Sequence, residues 1–76
     1  MGIMRILDAT GDTTVTWSVQ DAATLERAEA VFEQMLKKRH MAFAVPTGGQ
    51  ADDAERVRAF DPGAQEIIWV RAIQGG

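Results

Sequence analysis

Polar and apolar positions alternate near the start of the chain, where Thr14, Thr16 and Ser18 interleave with Val15, Trp17 and Val19. That period of two half-buries a β-strand and predicts one over 13–19. The preceding run, 3–9, has the same character. Arg5 cannot face a small core, so Met4 and Ile6 are expected inward and Ile3 and Leu7 on the other face. Thr10-Gly11-Asp12 supplies the turn of a hairpin, because Gly11 takes positive φ without steric cost and Asp12 can hydrogen-bond its own backbone.

From Asp21 the period lengthens. Ala22, Leu25, Phe32, Met35 and Leu36 recur at helical spacing, with Glu26, Arg27, Glu29, Glu33 and Lys37 on the opposite side. The carboxylate of Asp21 is a natural N-cap for the free amides of the first turn, and the helix is expected to run to about residue 39. The basic run Lys37-Lys38-Arg39-His40 is read as favourable charge at a helix C-terminus rather than as a ligand site.

Residues 41–45 alternate large and small, and Pro46 with Gly48-Gly49 ends them as a short third strand. The glycine pair lacks the Gly-Lys-Ser/Thr ending of a phosphate loop and reads as a plain loop. Val57 and Phe60, three apart, predict a turn or two of helix within 52–60. Asp52, Asp53 and Glu55 then serve the helix dipole, since no calcium-loop spacing is present. Asp61-Pro62-Gly63 is a turn. The run 65–73 is the most strand-like of all, rich in β-branched and aromatic residues. With Arg71 taken as marking the outer face, Ile67, Trp69, Arg71 and Ile73 point outward as a partner-binding patch, and Ile68, Val70 and Ala72 point inward.

Composition narrows the chemistry. The 76 residues include no Cys and one His, which excludes a disulfide framework, a thiol nucleophile, a Cys-based zinc site and a His cluster. No nucleophile and base pair stands out, so neither catalytic activity, a cofactor nor a metal is expected. Eight Lys and Arg against eleven Asp and Glu, net −3, leave no basic face for nucleic acid. No apolar stretch is long enough for a membrane span or a signal-peptide core, which together with the lack of Cys fits a cytoplasmic protein. Gly2 lacks the Ser or Thr at position 6 that myristoylation wants, where Ile6 stands. The expectation is one domain over 1–73, a flexible tail over 74–76 and a monomer. Ile73 is then the last residue with apolar area to hold it to a sheet.

The predicted order is hairpin, helix, strand, short helix, strand, an α+β roll with a mixed sheet and one helix on one face. In that order, in its spacing, and in the closing Gly75-Gly76, the whole chain resembles the ubiquitin-like β-grasp group. Lysines confined to Lys37 and Lys38, and Gln74 where ubiquitin has Arg, make it resemble a divergent relative, such as a bacterial one. The resemblance implies a protein modifier. Its Gly76 carboxylate is activated by a partner enzyme and joined to target amines by an isopeptide bond, with Gly75 easing passage through narrow active sites. It equally implies a sulfur carrier, in which the same terminus becomes a thiocarboxylate. A third expectation, from the residues themselves, is a non-catalytic interaction module that uses the exposed sheet face.

Overall fold

Strands from the two ends of the chain lie side by side at the centre of one sheet. The computed structural model describes residues 1–8 and 11–71. Its elements are β1 (Gly2–Asp8), β2 (Gly11–Trp17), helix α1 (Ala22–Lys37), β3 (His40–Pro46), a 3₁₀ turn (Ala51–Asp53), β4 (Glu55–Val57) and β5 (Ala64–Arg71). The strands form one five-stranded sheet in the order β2-β1-β5-β3-β4. β1 and β5 pair in parallel and the other pairs are antiparallel. With α1 packed on one face, the fold is α+β and β-grasp-like. β5 takes the middle of the order, where β1 and β3 satisfy the backbone groups along both its edges.

The hairpin has the expected phase, with Met4, Ile6, Val15 and Trp17 buried. Its turn is tighter than expected. Gly11 pairs with Asp8 and Asp12 with Leu7, so both turn candidates belong to β2 and only 9–10, outside the described residues, connect the strands. Extending the ladder satisfies backbone groups that a longer turn would leave to water.

α1 begins as predicted. The Asp21 carboxylate accepts from the Ala23 N–H at 3.1 Å. The Thr24 hydroxyl accepts from the Ser18 N–H at 2.9 Å and donates to the Asp21 carbonyl at 2.8 Å, fastening the helix start to the end of β2. Ala28, Phe32 and Met35 form its buried stripe, with Leu25, Val31 and Leu36 beside it. At the other end the Lys38 and Arg39 N–H groups donate to Gln34 and Leu36 carbonyls, and Arg39 adopts φ +63°. The chain turns through this left-handed residue into β3, and the basic run closes the helix as its charge predicts.

The helix expected within 52–60 is replaced by the 3₁₀ turn and β4. Ala42 pairs with Val57, Phe43 with Arg56 and Ala44 with Glu55. This pairing satisfies the outer edge of β3, a gain that an isolated helical turn cannot match. Val57 and Phe60 still pack on the core.

Four aromatic rings run through that core. Trp17 meets Phe60 edge-on at 5.1 Å, Phe60 lies 6.0 Å from Phe32, and Phe32 lies 4.7 Å from Trp69. The Trp17 indole N–H donates to the Pro62 carbonyl at 3.1 Å, which ties β2 to the loop before β5. The same ring lies on Gly2, where a Cβ would stand 2.1 Å from its Cζ2. Gly2→Ala is therefore expected to lower stability by about 2 kcal/mol or more, since it drives a methyl into a closed core. Gly63→Ala, whose added Cβ comes no closer than 3.4 Å to the Asp61 Oδ1, is expected to stay within about 0.5 kcal/mol of wild type. Urea unfolding of both variants checks the pair, and equal losses would contradict the packing of Trp17 on Gly2.

Candidate functional site

The phase of β5 decides which residues a partner can reach, and it is opposite to the sequence expectation. Ile67 and Trp69 are 0 % exposed and belong to the core under α1. They form no outward patch. Ile68 and Val70 occupy the open face, half-buried, and Arg71 is exposed at the strand's end, paired with His40. Arg71 shares the phase of Ile67 and Trp69, but it sits where β5 runs out, and its charge therefore reports the rim rather than the covered part of the face. Glu66 carries the true phase. It forms an ion pair with Arg5 on the open face, the only ion pair among the described residues. Ile73, Gly75 and Gly76 lie outside the described residues, as does the expected end of the sheet's hold at Ile73.

Small residues on β3 make room for the buried rings. Ala42 stands opposite Trp69 and Ala44 opposite Ile67, both on the helix side. Their large neighbours Met41 and Phe43 must then face the other way, where Met41 pairs with Val70 and Phe43 with Ile68. With Ile3 on β1 these residues make a half-buried apolar row across three strands. Arg5 stands beside Ile68 on one flank and Arg56 beside Phe43 on the other. The large and small alternation over 41–45 already held this signal, because the tiny side chains belong under the bulky helix.

The remaining polar motifs are used internally. The Gly48 N–H donates to Gln65 Oε1 at 3.1 Å and the Gly49 N–H to the Pro46 carbonyl at 2.9 Å. Gln65 Nε2 donates back to the Gly49 carbonyl at 3.2 Å, and the Thr47 hydroxyl donates to the Gly63 carbonyl at 2.6 Å. Both glycine amides are thus engaged, which leaves the pair a structured loop and no phosphate cradle. Gly48 has φ +81° and Gly49 would meet Pro46 Cγ at 2.8 Å if it carried a Cβ, so both positions call for glycine. Asp53 accepts from the Gln50 N–H and Asp61 from the Gly63 N–H. Among the described residues no group of three or more His, Asp and Glu is placed to hold a metal ion. None of the described helices is long and apolar enough to cross a membrane.

The last candidate is the sheet rim at Arg71. β5 lies between β1 and β3, and its final described pair is His40 with Arg71. Residues 72–76, which include Gly75-Gly76, come after Arg71 in the sequence and lie outside the described residues. Compared with protein families, with curated proteins and with solved structures, the chain finds no match.

Burial of both indoles has a direct readout. Acrylamide is expected to quench the combined Trp17 and Trp69 emission several-fold less in the native protein than in urea, because their exposures are 1 % and 0 %. Native quenching equal to that of the unfolded chain in even half the emission would restore an outward Trp69.

Proposed function

We propose that this chain is a ubiquitin-like protein modifier whose Gly76 carboxylate is activated by a partner enzyme and joined to amines of target proteins. The observation that carries the reading is the position of β5. It is the central strand, parallel to β1, and Arg71, its last described residue, stands at the middle of the sheet rim shortly before Gly75-Gly76 in the sequence. A carboxylate that must enter another protein's active site gains from two glycines, which remove every Cβ from its path and permit any φ and ψ. The partner enzyme supplies ATP and a thiol. Adenylation of the carboxylate releases pyrophosphate, the thiol displaces AMP, and a target amine displaces the thiol to leave an isopeptide bond.

The test is tagged protein incubated with ATP and a lysate of its own host. Heavier adducts that survive reducing gel buffer are expected, and they should vanish when Gly75 and Gly76 are deleted. An adduct pattern indifferent to that deletion would sink the proposal. If the terminus carries sulfur instead, intact mass of the protein purified from its host should show a species about 16 Da heavier, sulfur replacing oxygen, with no conjugates.

A second reading, an interaction module, is favoured by the half-buried row of Met41, Phe43, Ile68 and Val70. That contact excludes the core residues Ile67 and Trp69. With Gly75 and Gly76 deleted, Ile68→Glu is expected to melt like its parent and to lose most of the binding to host proteins that the parent keeps, because it places a charge at the centre of the row. Undiminished binding would remove the open face as the contact surface.

A further inference from the structure

The two edges of the sheet are built differently. β4 is three residues long, its Glu55 and Arg56 are exposed, and charged Asp53 and Arg58 flank it. Short length and charge are the means by which soluble sheets discourage pairing at an edge. β2 has neither along most of its length. It is a seven-residue strand paired with β1 throughout, and Thr13, Thr14, Val15 and Thr16 form an unbroken β-branched run without charge, Pro or Gly. Such a run has high strand propensity and nothing to repel another strand. About half of its backbone N–H and C=O groups point away from β1, as on any antiparallel edge.

We propose that β2 pairs antiparallel with β2 of a second copy of this chain, about a two-fold axis perpendicular to the sheet. The two sheets then become one, with both helices on the same face. A second copy fits this edge because the strand is complementary to itself. Centred on Val15, the two-fold relation sets Thr14 of each copy opposite Thr16 of the other on the open face, and Val15 opposite Val15 on the helix side. Cross-strand threonine pairs are favourable, and like charges directly opposite are not. The acid of β2, Asp12, falls at register position 18 of the second copy, so the two copies of Asp12 do not stand opposite each other. The joint replaces the monomer expected from sequence. It is separate from the proposed conjugation, because β1 stands between β2 and β5 and leaves the end of β5 uncovered in each copy. Failure of either idea leaves the other standing.

Sedimentation velocity on the full chain from about 5 µM to about 1 mM tests it, since dimerisation follows mass action. The mass should rise from 8.3 kDa toward twice that value. Thr14→Lys with Thr16→Lys, both at exposed positions, should weaken the dimer at least about tenfold by setting like charges opposite one another. Amide exchange at 13–16 should slow as wild-type concentration rises, a readout that stands even if the double variant fails to fold. A mass of 8.3 kDa throughout overturns the proposal. So does a dimer indifferent to the lysines and dissolved by Ile68→Glu, which would join open faces, and so does an open-ended series of larger species.

Discussion

Trp17 holds together parts of the chain that lie far apart in the sequence. Its ring lies on Gly2 at the start of β1, its N–H binds the Pro62 carbonyl ahead of β5, and its edge-on contact with Phe60 starts the run of rings that reaches Trp69 beneath α1. A domain of this size buries only about 60 % of the surface its unfolded chain exposes, so a few large side chains must do what a thicker core does elsewhere. Phe60 belongs to no strand or helix, yet it is half-buried between Trp17 and Phe32 and fixes the loop that launches the central strand. The position of β5, and with it everything proposed for the residues beyond Arg71, therefore depends on packing at the opposite end of the sheet.

Legibility followed the length of each pattern. The sixteen-residue helix and its Asp21 cap, and the inward phase of Met4 and Ile6, were plain because several side chains agreed. β4 was not, because three residues are too few to show a period of two, and the spacing of Val57 and Phe60 imitates a helical turn. Both residues reach the core by different routes, one on a strand and one on a loop. Periodicity reports that side chains are buried together, and it names the backbone only when the run is long enough.

The candidate site was misread through one residue. Arg71 has the phase of the core, but α1 does not cover the sheet there, and a guanidinium is tolerated on any face that reaches water. Glu66 is the better marker. Its partner Arg5 was already assigned to the open face on the ground that a small core excludes it, and in a parallel pair of strands side by side the two charges had to share that face. Ala42 and Ala44 tell the same story from β3, since small residues opposite Trp69 and Ile67 are what a helix-covered face requires. Gly75 and Gly76 were legible as residues, and they lie outside the described residues.

Each surface of this sheet carries a different constraint. The helix face is closed by Phe32, Met35 and the two indoles, and any polar substitution there is felt as lost core. The open face is apolar at its middle and charged at Arg5, Glu66 and Arg56, so it excludes water only when something covers it. The edge at β4 is guarded by charge and brevity while the edge at β2 is bare, and the rim at Arg71 belongs to neither face nor edge. Coupling among them would have to pass through the aromatic run, whose rings interlock closely enough that a shift at Trp17 must be taken up by Phe60 before it reaches Trp69.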